Sequence, residues 1–107
     1  MAYAVYATES FDKETESLSQ SDKDIIQKIF LQLKENPYSG DQIRYKFFRE
    51  KRIREKRLYF LIYDDLSAVL AVAFGGKKEQ EETIDEIIKL LPEFKIYAQN
   101  LINQDKN

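Results

Sequence analysis

The sequence predicts an α+β domain in which helices pack on one face of a sheet that contains an antiparallel meander. Strand-like and helix-like stretches are segregated along the chain, 43% of the 107 residues are apolar, and only three Gly and two Pro interrupt them. Seven Phe and seven Tyr add bulk to the apolar set, and a chain of this size can form one packed core. We therefore expect a single domain over residues 1–102 and a polar tail over residues 103–107.

The N-terminal part of the chain predicts a strand followed by two helices. Residues 2–8 alternate small and aromatic side chains, which is typical of a short strand. Residues 10–17 predict a short helix, and a capping box at residues 21–24 precedes apolar side chains at helical spacing. This second helix should end before Asn36-Pro37, because a residue that precedes proline disfavours the helical conformation. The two helices are expected to form a hairpin with one apolar face.

The middle of the chain predicts three antiparallel strands. Ile43, Tyr45 and Phe47 alternate with polar or basic residues, and we expect the rings of Tyr45 and Phe47 to lie in the core. Residues 57–63 and 67–74 predict two strong strands, joined by a short connection at Asp64-Asp65-Leu66. Because the last strand is almost entirely apolar, it should lie inside the sheet.

The C-terminal part predicts further helix. Gly75-Gly76 should break the last strand, and a helix should begin near Thr83. Pro92 is expected to kink or end that helix. An amphipathic stretch over residues 94–102 then predicts another helical segment.

Charge is distributed very unevenly along the chain. The segment of residues 43–57, IRYKFFREKRIREKR, holds eight of the seventeen Lys and Arg side chains against two acids. Its formal charge is therefore +6 in a chain of net charge −2, which leaves −8 for the remainder. Such a local field attracts phosphate backbones or acidic protein segments, and the interleaved aromatic residues are typical of nucleic-acid surfaces. The alternative is a solvated hairpin whose Lys and Arg keep edge strands soluble.

The composition excludes several kinds of site. Neither Cys nor His is present, which excludes disulfides, thiolate nucleophiles and every catalytic arrangement based on histidine. Any catalysis has to use Lys, Arg, Tyr, Asp or Glu, and we expect no metal and no cofactor. The N-terminus does not resemble a signal peptide, and no apolar run approaches the roughly 20 residues of a membrane span. These features predict a cytosolic protein that does not enter a membrane.

Two motifs resemble the RelE/ParE superfamily of bacterial and archaeal toxin–antitoxin systems. The first is RLYFLIYDD, which opens with Arg57-Leu58 and looks like the RLVY-type strand of RelE and YoeB toxins. The second is the stretch Gly76-Lys77-Lys78-Glu79, which is similar to the GKRE stretch of RelE. The resemblance covers residues 2–88 and implies a fold with an N-terminal strand, a helical hairpin, a three-stranded antiparallel meander and a C-terminal helix.

The resemblance also implies a catalytic site. Arg57 matches the family's phosphate-stabilising arginine, for which the alternative role is an ion pair with Glu55, Asp64 or a helix carboxylate. Lys46 matches a lysine that acts as the base where neighbouring cations favour its neutral form, and Lys78 occupies the position of a second arginine. Two positions depart from the family pattern: Phe48 replaces a lysine, and Ile84 aligns with a tyrosine. The other residues expected to bind RNA are Arg44, Arg49, Lys51, Arg52, Arg54, Lys56 and Lys77.

The implied function is that of a RelE-like toxin, which cuts mRNA on the ribosome without a metal and is neutralised by a cognate antitoxin. A ParE-like gyrase inhibitor and a nucleic-acid-binding protein without cleavage activity are the alternatives. A flexible acidic helix would suit the basic face as an antitoxin. The segment after Pro92 is a second candidate to cover an apolar groove on that face, or to form a homodimer surface.

Overall fold

The computed structural model describes residues 2–105 and contains one five-stranded mixed sheet with helices on both faces. The strands are β1 (Ala4–Ala7), β2 (Asp41–Gln42), β3 (Phe48–Ile53), β4 (Lys56–Tyr63) and β5 (Ala68–Gly76). The helices are α1 (Glu9–Thr15), α2 (Gln20–Glu35), α3 (Gln80–Lys89) and α4 (Leu91–Asp105). Short 3-10 turns lie at Pro37–Ser39, Asp64–Leu66 and Lys77–Glu79. The predicted α+β class is confirmed.

The strand order is β1-β5-β4-β3-β2. The three strands β3, β4 and β5 form the predicted antiparallel meander, and the short β2 extends it by one antiparallel pair. On the other side, β1 pairs with β5 in parallel, with Ala4 opposite Ala68. This parallel pairing makes β5 an internal strand, as its apolar sequence predicts.

Both faces of the sheet are covered, so the expectation of helices on one face is wrong. Leu58, Phe60 and Ile62 of β4 pack with α1 and α2 in one core cluster. The intervening Tyr59 and Leu61 pack with α3 and α4 in a second cluster. The cause is visible in β4 and β5, whose side chains are apolar on both faces and therefore require two covering layers.

The helices begin at side-chain caps that lie slightly before the predicted positions. The Thr8 hydroxyl accepts a hydrogen bond from the backbone N–H of Phe11 at 3.1 Å and begins α1. The Ser19 hydroxyl accepts one from Asp22 N–H at 3.2 Å and begins α2, two residues before the predicted capping box. The predicted end before Pro37 is confirmed.

The C-terminal elements are longer than predicted. Strand β5 continues through both glycines to Gly76, so the expected break at Gly75 is wrong. Helix α3 ends before Pro92, and α4 continues through residues 103–105, which were expected in a polar tail. Residues 106 and 107 of that tail lie outside the described range.

Lys95 of α4 forms an ion pair with Asp65 at 2.5 Å, which joins α4 to the β4–β5 connection.

A hydrogen bond holds the C-terminal end of α4 to the sheet. The Tyr6 hydroxyl of β1 donates a hydrogen bond to Asp105 Oδ2 at 2.5 Å. This bond, with smaller contributions from burial and the charge of Asp105, raises the pKa of Tyr6 to about 12. Helix α4 is thus joined to the sheet by polar contacts at separate positions along its length.

Residues 43–47 form a tight loop, so the predicted strand at this position is wrong. Strand β2 has only two residues, and β3 begins at Phe48, whose backbone N–H donates to the Tyr45 carbonyl at 3.0 Å. The side chains of Tyr45 and Phe47 are 42% and 37% exposed, so their expected place in the core is also wrong.

Gly40 immediately precedes β2 and packs closely against the neighbouring strands of the sheet. A Cβ at this position would stand 2.7 Å from the Phe60 ring and 2.9 Å from the Glu50 carbonyl oxygen. No side chain fits there without displacing these neighbours, so glycine allows the close approach that seats β2 beside β3.

Candidate nucleic-acid interface

A basic cleft of about 750 Å³ opens where the β3–β4 hairpin meets the end of β5. Six basic and two acidic side chains line it, together with one glycine. The lining residues are Arg52, Arg54, Glu55, Lys56, Arg57, Gly76, Lys77, Lys78 and Glu79. The cleft therefore brings together Arg57 and Lys78, two of the three residues that the sequence predicts as catalytic.

Arg57 lies at the base of this cleft, near the start of β4. It pairs with Arg52 of β3 on one side and with Gly75 of β5 on the other. Arg57 is only 6% exposed, and its Nε lies 3.2 Å from Glu50 Oε2. The two groups do not meet the geometry of a hydrogen bond, so the contact is an ion pair only. The expected alternative role for Arg57, an ion pair, is thus present, but with a partner that the sequence did not indicate.

Tyr59 extends this buried polar cluster below the cleft. Its hydroxyl has no hydrogen-bond partner among the described residues, and the residue is fully buried. Burial raises the pKa of Tyr59, the negative charge of Glu50 raises it further, and Arg57 opposes the shift. A neutral, enclosed phenol is poorly placed to give a proton to a ligand in the cleft.

The rim formed by Gly75 to Lys78 is open. No glycine in residues 2–105 has a positive φ, and a Cβ on Gly75 would meet no atom within 4 Å. Lys77 and Lys78 follow in an exposed 3-10 turn, and neither has an ion-pair partner within the described chain. Both ammonium groups are available to an anion in the cleft.

Lys46, the third residue predicted as catalytic, does not line this cleft. It precedes β3, whereas Arg57 faces Arg52 near the end of that strand. From Phe48 to Arg52 alone the chain spans about 13 Å, at about 3.3 Å per residue. The Lys46 ammonium instead lies 5.4 Å from the centre of the Tyr38 ring.

The other basic residues of the 43–57 segment are divided between structural contacts and solvent. Arg44 faces Glu81 at 3.5 Å and Asp85 at 3.8 Å. Arg49 donates to the backbone carbonyls of Lys46, Tyr38 and Gly40, at 2.8, 3.2 and 2.9 Å. Arg54 faces Asp22 at 3.3 Å, although it also lines the cleft. Of the predicted RNA-binding residues, Arg52, Lys56 and Lys77 line the cleft without an ion pair in residues 2–105.

Lys51 points away from the cleft because successive side chains of β3 alternate between the two faces. Arg52, the cross-strand partner of Arg57, shares the face of Arg57, and Lys51 therefore lies on the face of α1 and α2.

Glu50 is the site residue that sequence reasoning missed. Strand pairing places it opposite Tyr59, diagonally across the hairpin from Arg57. Long side chains at diagonal positions reach each other. The two-residue turn at Arg54-Glu55 sets this register and is the sequence signal for the position of Glu50.

Comparison with solved structures identifies the fold. A mutant of the E. coli toxin RelE in the free state superposes with a TM-score of 0.71 and 22% identity, covering 83% of this chain and 97% of that one. The chain has the RelE fold. The archaeal RelE–RelB complex from Pyrococcus horikoshii has a TM-score of 0.65 and 12% identity, covering 72% of this chain and 97% of that one. No family model and no curated protein matches the sequence.

A third structure with the RelE fold is the RelBE2 toxin–antitoxin complex of Mycobacterium tuberculosis. Its TM-score is 0.63 at 17% identity, with 72% of this chain and 100% of that one covered. Several of the matching structures are thus complexes of a toxin with its antitoxin.

On this RelE fold, the two positions that depart from the family pattern are core residues. Phe48 is fully buried and packs 6.5 Å from the Tyr59 ring, centre to centre. Ile84 of α3 is buried in the same cluster. Neither position presents a side chain to the cleft. Within residues 2–105 no group of three or more acidic side chains is arranged to hold a metal, and no helix is long and apolar enough to cross a membrane.

Proposed function

We propose that this chain is the toxin of a toxin–antitoxin system and cleaves mRNA on the ribosome through the basic cleft around Arg57. The observation that carries the proposal is the convergence of Arg57, Lys77 and Lys78 in one cleft of a RelE fold. Six basic side chains in one opening suit a phosphodiester that gains negative charge during reaction.

The reaction is attack of a ribose 2′-hydroxyl on the adjacent phosphate. The 2′-oxygen loses its proton and bonds to phosphorus, and the 5′-oxygen leaves and takes up a proton. The products are a 2′,3′-cyclic phosphate and a 5′-hydroxyl. Arg57 and Lys78 stabilise the extra charge on the phosphate. Lys46 does not line the cleft, whereas Glu55 and Glu79 do, and one of these two carboxylates accepts the proton and returns it to the leaving 5′-oxygen.

Binding should depend strongly on salt, because the free cations of the cleft replace counterions on the RNA. Arg52, Lys56, Lys77 and Lys78 line the cleft without an ion pair in the described chain. With four phosphate contacts on single-stranded RNA, a plot of the logarithm of the binding constant against the logarithm of the salt concentration should have a slope of about −3.

A cognate antitoxin is part of the same proposal. The matching structures include toxins bound to RelB antitoxins, and the basic cleft of this chain suits an acidic segment that folds on binding. An antitoxin that covers Lys77 and Lys78 would block RNA by occupying the same cations.

The test is primer-extension mapping of a translated mRNA in a ribosome-programmed extract. Wild type should cut the mRNA at the ribosomal A site, and the Lys77→Ala/Lys78→Ala variant should lose cutting, since both side chains are exposed and their removal spares the core. Lys28→Ala, an exposed lysine on α2, is the matched control and should cut normally. Intact mRNA at saturating wild-type protein would contradict the proposal.

One observation favours a second candidate, a binding protein of the same fold without cleavage activity. Phe48 and Ile84 are buried, and Lys46 lies outside the cleft, so the cleft has many cations but few groups for proton transfer. A ParE-like gyrase inhibitor needs no such groups. Accumulated DNA breaks with intact mRNA in cells that express the protein would select this candidate.

A further inference from the structure

The loop of residues 43–47 exposes two stacked aromatic rings. Tyr45 and Phe47 are two of the four large apolar side chains that are exposed in the described part of the chain, and the other two, Leu31 and Ile96, lie singly on helices. The two rings are parallel within 1°, with centroids 5.2 Å apart. This arrangement leaves an aromatic stack open to solvent, where the sequence predicted core residues.

The exposure does not result from a loose loop. The Phe48 N–H donates to the Tyr45 carbonyl at 3.0 Å, and the Ile62 N–H donates to the Phe47 carbonyl at 2.8 Å. Arg49 Nε donates to the carbonyl of Lys46 at 2.8 Å. Three consecutive carbonyls of the loop are therefore bonded to the body of the protein, which holds the two rings in place before any ligand arrives.

The loop that carries the stack is basic. From Ile43 to Arg49 the chain carries three basic residues and no acid. Arg44 and Arg49 are engaged by α3 carboxylates and by backbone carbonyls, respectively. Lys46, which lies between Tyr45 and Phe47 in the sequence, has no ion-pair partner in residues 2–105. Its ammonium lies 5.4 Å from the centre of the Tyr38 ring. The hydrogen bond from Tyr38 lowers the pKa of Asp64, and the charge of Lys46 contributes to the same shift.

We propose that Tyr45 and Phe47 form a stacking platform for the unpaired bases of single-stranded RNA, with Lys46 of the same loop to meet the backbone. Aromatic faces combined with nearby cations are how proteins hold single strands independently of sequence. An unpaired base is a flat ring that can extend the parallel stack. The inference rests on the proposed function in taking RNA as the ligand, and gives Lys46 a role outside the cleft.

The absence of tryptophan from the chain permits a direct assay. A Phe47→Trp variant has one tryptophan, at the platform, and base stacking on it should quench its fluorescence. We would titrate this variant with a short single-stranded RNA and with an abasic oligonucleotide of the same length and charge. Quenching by the RNA alone is the expected result. Equal quenching by the abasic strand would overturn the proposal, since the contact would then be purely electrostatic.

Affinity measurements on otherwise native protein complete the test. Phe47→Leu keeps an apolar side chain but loses the ring, and should weaken RNA binding about fivefold to a hundredfold. Leu31→Ser, which removes an exposed apolar side chain on α2, should leave it unchanged. Unchanged RNA affinity in Phe47→Leu would overturn the platform, and weaker antitoxin capture in that variant would then assign the surface to a protein.

The platform and the proposed function can fail separately. If the Phe47→Trp variant shows base-dependent quenching by RNA but the wild-type protein cuts no mRNA, the cleavage proposal fails and the platform stands. If mRNA is cut while Phe47→Leu binds RNA as wild type does, the platform fails and the cleavage proposal stands.

Discussion

Removal of one member of the Glu50–Arg57 ion pair should destabilise the fold strongly. Their side chains are 13% and 7% exposed, so water screens the remaining charge poorly. Loss of one partner from a buried pair costs about 3–5 kcal/mol, and the absence of a direct hydrogen bond favours the lower end of that range. Against a total stability of about 5–15 kcal/mol, this is a large fraction.

The loss should be visible as a shift in melting temperature. An unfolding entropy of roughly 2.1 cal/mol/K per residue gives a chain of 107 residues about 0.22 kcal/mol/K. Each 1 kcal/mol therefore lowers the Tm by about 4–5 °C, and a loss of 3–5 kcal/mol lowers it by about 13–22 °C.

The assay is thermal and urea unfolding followed by circular dichroism. Glu50→Leu and Arg57→Met should each show the loss, and the double variant should return to about wild-type stability, because apolar residues of similar size often replace a buried pair without cost. Arg52→Met, the exposed cross-strand neighbour of Arg57, is the control and should change stability by less than about 0.5 kcal/mol. Single variants within about 1 kcal/mol of wild type, or a double variant as unstable as the two losses combined, would refute the reasoning.

This prediction changes how Arg57 should be tested. A single Arg57→Ala variant that loses activity could do so because the uncompensated Glu50 carboxylate unfolds the protein. The Glu50→Leu/Arg57→Met variant removes the guanidinium from a folded protein, and is therefore the better measure of its role in RNA cleavage.

Three further predictions concern stability. Gly40→Ala should cost about 1–3 kcal/mol in urea unfolding because its Cβ overlaps a ring and a carbonyl, whereas Gly75→Ala, whose Cβ meets no atom, should stay within about 0.5 kcal/mol of wild type. Ser19→Ala should cost about 1 kcal/mol through loss of the α2 cap, measured by thermal unfolding. Tyr6→Phe should destabilise slightly at neutral pH, since the hydroxyl then binds Asp105. Because the folded pKa is raised to about 12 from 10.0, this contribution should disappear as the pH rises through that interval.

Each of these has a clear contrary result. Equal stability of the Gly40 and Gly75 variants would mean that the sheet relaxes around the added methyl group. An unchanged Ser19→Ala melting curve would place the start of α2 elsewhere. A Tyr6→Phe difference that persists in strong alkali would show that the ring, and not the hydroxyl bond, secures the end of α4.

Much of the fold follows from local periodicity, which is why the types and order of the main elements are predictable. Helix α2 repeats apolar residues at helical spacing, whereas β4 and β5 are short, continuous apolar runs. The Asn36-Pro37 boundary follows from backbone sterics. The parallel pairing of β1 with β5 depends on contacts between distant residues, which no local pattern reports. The two-sided core is indicated by the apolar residues on both faces of β4 and β5.

The site was less predictable because charge along a sequence does not give charge on a surface. The eight cations of residues 43–57 appear as one patch in the sequence, yet strand alternation and ion pairs divide them between two faces. Arg57 and Lys78 meet because β4 pairs with β5, which the hairpin pattern indicates. Lys46 lies in a loop where its alternating sequence predicts a strand, and it does not line the cleft.

The internal position of β5 also determines when the cleft can exist during synthesis. Its partners β1 and β4 are both made earlier, and β1 pairs with residues 64 positions further along the chain. Until β5 has left the ribosome, β1 has no strand to pair with. The Gly75-to-Lys78 rim that completes the cleft is also still missing. The nascent chain therefore emerges without an assembled anion site, and this site forms only when most of the polypeptide has been translated.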